Sequence, residues 1–120
     1  MKRVLNSGIG LRRLIMSTAL AFALNPAAGH AADDSAAEDL AKAGKCFRCH
    51  SVDKAKKAPS YKRIAAKYKG NPDAEAKLVK HLSGNKIVKI EDGSEEDHDP
   101  PPAKDAADLK NLVQWILSRG

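Results

Sequence analysis

The sequence contains few cysteine, methionine and aromatic residues. Its 120 residues include two cysteines and two methionines, and only 4% are aromatic. Both methionines, Met1 and Met16, lie near the N-terminus, so residues 32–120 contain no thioether side chain. A domain this small with so few large apolar side chains has a small hydrophobic core and usually needs a covalent cross-link or a bound metal for stability. The length also argues against a two-domain enzyme with its own substrate cleft.

The sequence also lacks a hydrophobic run long enough to span a membrane. The longest apolar run, Leu14–Leu24, is well short of the ~20 residues of a spanning helix. It follows a cationic stretch, and Asn25-Pro26 and the small residues around Ala31 come after it. This layout is typical of a cleaved secretory signal. We therefore expect a signal peptide over residues 1–31 and an exported domain over residues 32–120, without stable membrane insertion after cleavage.

Apolar spacing and capping residues predict an all-α domain. Ser35 and Glu38 form a capping-box pattern for the first helix, and Gly70 is a natural end for the second. Asp105 precedes an apolar repeat at helical spacing. The predicted helices cover residues 35–45, 61–69, 71–84 and 105–117. Residues 86–90 alternate as a short strand would, but we find no partner run, so no sheet is predicted.

Charge is segregated along the chain. Residues 42–90 carry a net +11 and residues 91–108 a net −7. Nucleic-acid binding is not predicted, because an exported protein rarely meets nucleic acid. Two interpretations remain for the basic block. It is either a solvated helical face or a lysine-rich surface, including Lys54, Lys56 and Lys57, that steers an acidic protein partner.

Residues 46–50 read Cys-Phe-Arg-Cys-His, the C-x-x-C-H signature of c-type haem attachment. Thiols three residues apart can reach the two vinyl groups of one porphyrin, and the next residue then presents an imidazole to the iron. We therefore predict covalent attachment of one haem c through Cys46 and Cys49. His50 is the predicted proximal iron ligand.

Other chemistry for these cysteines fits less well. A disulfide between Cys46 and Cys49 leaves His50 unexplained and closes a loop too small to stabilise much. A thioredoxin-like redox pair needs a strand–helix context that the pattern lacks. A zinc site needs four ligands, and the other histidines outside the predicted signal sequence, His81 and His98, are not at the spacing usual for zinc.

With this motif, the sequence resembles a class I cytochrome c of the short bacterial periplasmic type over about residues 38–118. The resemblance is carried by Ala58–Gly70 (APSYKRIAAKYKG) and Leu109–Leu117 (LKNLVQWIL). It implies about four helices packed around one covalently bound haem. It assigns Pro59 to the segment whose carbonyl orients the proximal imidazole. It also implies that the last helix crosses the first near Leu40 and Ala43, and that Trp115 is either core or haem wall.

The departure from the family lies on the distal side of the iron. The family normally has a glycine-rich loop with a tryptophan, followed by a methionine within a proline run that supplies a thioether ligand. Here His98 takes the methionine's place, counted back from Leu109, and Pro100–Pro102 follow it. His98 is therefore the predicted distal ligand, an imidazole being a strong haem ligand. His81 is a rival, and a lysine or an open sixth position remain as alternatives.

These features predict an electron carrier rather than an enzyme. No Ser/His/Asp arrangement or paired carboxylates can be defended, since Asp97 and Asp99 lie in an acidic loop. Two alternatives remain open. One is a haem protein with an open or labile sixth site that binds a small ligand. The other is a redox subunit docked to a larger oxidoreductase through residues 91–108.

Overall fold

Four helices form where apolar side chains recur at helical spacing in residues 31–120, the part of the chain that the computed structural model describes. They are α1 (Asp34–Ala43), α2 (Tyr61–Tyr68), α3 (Ala74–Leu82) and α4 (Ala106–Leu117), with a short 3₁₀-helix at Cys46–Arg48. The predicted signal sequence lies outside the described residues, apart from Ala31. None of the described helices is both long enough and apolar enough to cross a membrane.

Helix α1 begins and ends at residues other than those predicted from the sequence. Asp33, rather than Ser35, caps α1: its carboxylate accepts hydrogen bonds from the backbone N–H of Ala36 and the hydroxyl of Ser35. The helix ends at Ala43 rather than Lys45, which adopts a left-handed φ of 56°. Asp105 caps α4 as predicted, accepting from two backbone N–H groups.

Helix α4 is the centre of the core. It packs against α1, α2 and α3, and its Leu112, Val113 and Trp115 are fully buried. From α1, the buried residues are Ala37 and Ala41, whose small side chains bring the helices close together. The predicted crossing near Leu40 and Ala43 is therefore only partly right. Leu40 is half-buried against the core, whereas Ala43 is exposed.

Residues 86–98 form an antiparallel hairpin, and here the prediction of no sheet was wrong. Strand β1 (Lys86–Lys89) pairs with β2 (Glu95–His98), which places Lys86 opposite His98 and Lys89 opposite Glu95. The partner was missed because Glu95–His98 has no apolar side chain. Its pairing depends on backbone hydrogen bonds, and one of the facing pairs, Lys89 and Glu95, has opposite charges. The fold is thus mostly helical, as predicted, with a small sheet added.

The chain between β2 and α4 returns to the C-terminal end of α1. A Cβ atom on Gly44 would lie 2.9 Å from Cβ of Pro101 and 3.3 Å from Sγ of Cys46. Only glycine therefore lets the proline run pack this closely beside the first cysteine. This contact brings the end of the hairpin next to the C-x-x-C-H motif.

Candidate functional site

The C-x-x-C-H motif folds as a tight turn directly after α1. The backbone N–H groups of Cys49 and His50 both donate to the carbonyl of Cys46, at 3.2 and 2.9 Å. Both cysteines are half-buried and are not joined in a disulfide. Cys46, Cys49 and His50 line one cavity, so the turn presents two thiols and an imidazole to the same space.

The carbonyl of Pro59 orients the His50 ring. His50 Nδ1 lies 2.7 Å from the Pro59 oxygen, a distance at which Nδ1–H donates and Nε2 keeps its lone pair for a metal ion. Tyr61 stacks on the same ring, with centroids 5.2 Å apart. Burial lowers the pKa of His50, although the Pro59 contact acts in the opposite direction. Burial therefore favours the neutral imidazole that a metal ion requires.

His98, the last residue of β2, lies across the cavity from His50. The centroids of the two rings are 6.4 Å apart and their planes are at 78°. Two imidazoles bound to one metal ion from opposite sides, with bonds of about 2 Å each, have centroids roughly 6 Å apart. The separation therefore fits one metal ion between them. His98 Nδ1 is buried without a hydrogen-bond partner in residues 31–120, so no hydrogen bond within this part of the chain orients that nitrogen.

His81, the rival ligand, also reaches this region from α3. Its ring centroid is 4.9 Å from that of His98, whereas no ring contact joins His81 directly to His50 in the described part of the chain. Burial lowers the pKa of His81, and the nearby His98 and Lys86 lower it further. The three histidines are thus brought together, with His98 in contact with both of the others.

Two adjoining cavities of about 780 and 190 Å³ hold these groups. The larger volume lies within the range of ~300–1,000 Å³ that is usual for ligand and cofactor sites. Cys46, His50 and His98 border both cavities. The walls of the larger cavity are mostly apolar or aromatic, with side chains that include Tyr61, Ile64, Leu78, Leu82, Leu112 and Ile116. Paired thiols, facing imidazoles and an apolar wall together fit a porphyrin that is attached through its vinyl groups.

Trp115 does not line either cavity. It is fully buried, with its ring edge-on to Tyr61 at a centroid distance of 5.4 Å. The sequence left two roles open for Trp115, and the structure places this residue in the core rather than in the cavity wall. Tyr61, which separates Trp115 from His50, connects the core to the cavity wall.

The sequence interpretation missed Glu96. This half-buried residue lines the smaller cavity, and its carboxylate lies 3.9 Å from Cys49 Sγ and 2.9 Å from Lys57 Nζ. Glu96 raises the pKa of Lys57 by accepting its hydrogen bond and by its negative charge. The available signal was the alternation of β2, in which Glu96 and His98 share the half-buried face while Glu95 and Asp97 are exposed.

The lysines proposed for docking do not share one environment. Lys57 is paired with Glu96, and Lys56 donates to the backbone carbonyl of Phe47 at 2.6 Å. Lys54 is exposed and has no ion-pair partner within residues 31–120. Of the three lysines, Lys54 is therefore the one whose charge is most available to a partner.

Comparison with known proteins identifies the family. The cytochrome c family model matches residues 35–120. The crystal structure of the class 1 cytochrome MtoD from Sideroxydans lithotrophicus ES-1 superposes with a TM-score of 0.70 at 49% identity, covering 74% of this chain and 98% of that one. This chain is a class I cytochrome c.

Curated relatives agree with that assignment. The cytochrome is 41% identical to cytochrome c-551 of Allochromatium vinosum over 86 residues, which cover 69% of this chain and 87% of the relative. It is 39% identical to cytochrome c-552 of Hydrogenobacter thermophilus over 98 residues, which cover 81% and 95%. Small cytochromes c of this kind are electron carriers.

The cofactor prediction is confirmed by the family. Its members bind one covalent haem c with iron, and Cys46, Cys49 and His50 of this cytochrome fit the attachment motif.

Proposed function

We propose that this cytochrome carries single electrons between periplasmic proteins, with His50 and His98 as the two axial ligands of one haem c iron. The observation that carries the ligand assignment is the 6.4 Å separation of the two imidazole rings across the cavity. The composition supports it, because residues 32–120 contain no methionine to supply a thioether. When bound, the haem supplies an iron that alternates between the ferric and ferrous states.

Each residue of the motif has a separate role in this proposal. Cys46 and Cys49 hold the porphyrin covalently, so the cofactor stays with the exported chain. His50 coordinates through Nε2, and the Pro59 carbonyl fixes its tautomer and increases the basicity of the imidazole. The apolar wall excludes water from the iron, which limits the solvent rearrangement that accompanies a change of charge.

His98 sets the reduction potential in this proposal. A thioether ligand favours ferrous iron and raises the potential, whereas a second imidazole donates more strongly and favours ferric iron. We therefore expect a low-spin, six-coordinate haem with a potential clearly below that of methionine-ligated relatives. A six-coordinate iron also supports a carrier rather than an enzyme or a ligand-binding protein, since no coordination position is left for a substrate.

The periplasmic location and the partner surface belong to the same proposal. The location is supported by the signal-like layout of residues 1–31. The docking surface is supported by the excess of positive charge in residues 42–90, with Lys54 exposed near the haem-attachment turn. A partner with an acidic surface would be steered towards this side of the molecule.

Optical and electron paramagnetic resonance spectra of the haem-loaded protein test the ligand assignment. The wild type is expected to be low-spin, without the weak red-edge absorption of an iron–sulfur bond. His98→Ala should open the sixth position to carbon monoxide or water, and His98→Met should produce the iron–sulfur band and raise the potential. His81→Ala is the matched control and should leave the spectra unchanged.

Three results would overturn parts of this proposal. A high-spin wild-type spectrum would favour the ligand-binding alternative. A spectrum that changes with His81→Ala but not with His98→Ala would transfer the ligand role to His81. Permanent co-purification with a larger oxidoreductase, seen by size-exclusion chromatography, would favour the docked-subunit alternative.

A further inference from the structure

The hairpin that carries His98 is weakly anchored to the rest of the molecule. Among the helices and strands of residues 31–120, β1 and β2 contact chiefly each other, whereas α4 packs against three helices. The hydrogen bond from Asn85 Nδ2 to Asp99 Oδ1, at 2.9 Å, joins the base of the hairpin only to itself. The position of His98 therefore depends on a small number of contacts with other segments.

Two of those contacts converge on Lys57, in the segment between His50 and Pro59. Lys57 Nζ lies 2.9 Å from Glu96 Oε1, and the backbone N–H of Glu91 donates to the carbonyl of Lys57 at 3.0 Å. We call these two contacts the clasp. It joins the hairpin, on the distal side of the cavity, to the segment between His50 and Pro59 on the proximal side.

One end of the clasp is close in sequence to a proposed iron ligand, and the other end is close to the residue that orients the second ligand. Glu96 precedes His98 by two residues and lies on the same face of β2. Lys57 precedes Pro59 by two residues, and the Pro59 carbonyl contacts His50. Because strand residues two apart point to the same side, a restraint on the Glu96 side chain also restrains the direction of His98.

We propose that Lys57 and Glu96 are positioning residues that keep His98 on the haem iron. This inference rests on the proposed function, in which His98 is the distal ligand. With the clasp closed, the hairpin lies over the cavity and His98 faces His50. With the clasp broken, the hairpin moves away more often, and His98 leaves the sixth position for a larger fraction of the time.

Carbon monoxide measures that fraction directly. It binds ferrous haem at the sixth position, so in a six-coordinate cytochrome His98 must dissociate first. The observed binding rate is then proportional to the population of the opened state. A partly exposed ion pair typically changes such a population by up to about fivefold, which is the increase expected when the clasp is broken.

The chain provides a matched control for this ion pair. Lys110 and Glu75 join α4 to α3, with a nitrogen–oxygen distance of 3.2 Å and side chains 56% and 39% exposed. The corresponding exposures of Lys57 and Glu96 are 53% and 37%. The two pairs are therefore similar in exposure and charge, but only one of them involves the hairpin.

The experiment compares carbon monoxide binding to the reduced, haem-loaded cytochrome by stopped-flow absorption. Lys57→Gln and Glu96→Gln should each increase the rate by about fivefold, and the double variant should increase it no further. Exchanging the charges, with Lys57→Glu and Glu96→Lys together, should return the rate towards that of the wild type. Lys110→Gln should leave it unchanged.

The same assay separates failure of this inference from failure of the proposed function. If His98→Ala accelerates binding but the two clasp variants stay within twofold of Lys110→Gln, the clasp has no positioning role and His98 remains the ligand. Additive single effects would likewise overturn the clasp, because they would mean that the two residues act independently. If His98→Ala leaves the rate unchanged, the ligand assignment and the clasp both fail.

Discussion

Helix α4 and the hairpin differ in how they are held in place. Helix α4 buries five of its side chains and packs against the three other helices. Each strand of the hairpin is half-buried on one face only, and its Ile87 is 69% exposed. Apolar burial therefore stabilises the helical part, whereas hydrogen bonds, an ion pair and the proposed iron bond of His98 hold the hairpin.

The two proposed ligands are also held differently. His50 is fixed by its own tight turn, by Pro59 and by stacking on Tyr61. His98 lies on the less anchored region and has a buried Nδ1 without a partner in residues 31–120. A change in the hairpin should consequently affect the sixth ligand more than global stability, and a change in α4 should do the reverse.

The largest expected effect is on the helical side. Trp115→Ala removes a fully buried side chain that lines neither cavity, and should lower the free energy of unfolding by about 3–5 kcal/mol. Ile87→Ala, in the hairpin, should change it by no more than about 0.5 kcal/mol. Urea denaturation of the haem-loaded proteins measures both values.

If Trp115→Ala does not fold, Trp115→Phe provides the stability measurement instead. It should cost less than Trp115→Ala, since the indole Nε1 has no hydrogen-bond partner to lose in the described part of the chain. Equal losses of stability for Ile87→Ala and Trp115→Ala would contradict the division between the two regions.

An intermediate effect is expected from the opposite net charges of residues 42–90 and residues 91–108. Lys54→Gln should slow electron transfer to an acidic redox protein by about two- to fivefold at low ionic strength. Asp92→Asn, in the hairpin turn, should leave the rate unchanged or raise it. Stopped-flow rates measured over increasing salt concentration should converge, because salt screens exposed charges. If the wild-type electron-transfer rate does not change with salt concentration, the lysines form a solvated face and not a docking surface.

The smallest effect concerns the start of α1. The backbone N–H of Ala36 and the hydroxyl of Ser35 hold the pKa of Asp33 below its ordinary value of 3.8. A lowered pKa in the folded state means that the carboxylate stabilises the fold above the unfolded pKa, and that this contribution is lost as the pH falls below it. Asparagine also caps helices but does not titrate.

Unfolding measurements at several pH values check this prediction. The stability difference between wild type and Asp33→Asn should be constant above about pH 5 and should shift in favour of the variant at lower pH. A difference that is independent of pH would show that the Asp33 charge does not contribute. The visible spectrum should be the same in both proteins, since Asp33 lies far along the chain from either proposed ligand.

Sequence reasoning worked best where the chemistry is local. The spacing of Cys46, Cys49 and His50 requires only one turn, and the Asp105 cap with its apolar repeat requires only one helix. Both were predicted from neighbouring residues. The absence of methionine from residues 32–120 was equally visible, because it can be counted from the sequence without knowledge of the fold.

Tertiary structure decided what depends on distant partners. Glu95–His98 has no strand-like apolar alternation, so its pairing with Lys86–Lys89 appears only once the turn has brought the segments together. The sequence made Lys57 a candidate docking lysine, but in the structure Lys57 is paired with Glu96, 39 residues away. The sequence by itself therefore determined the family, the cofactor and the turn that carries Cys46, Cys49 and His50. The surroundings of His98 were decided by the tertiary structure, because side-chain pairings between distant segments depend on how the chain folds.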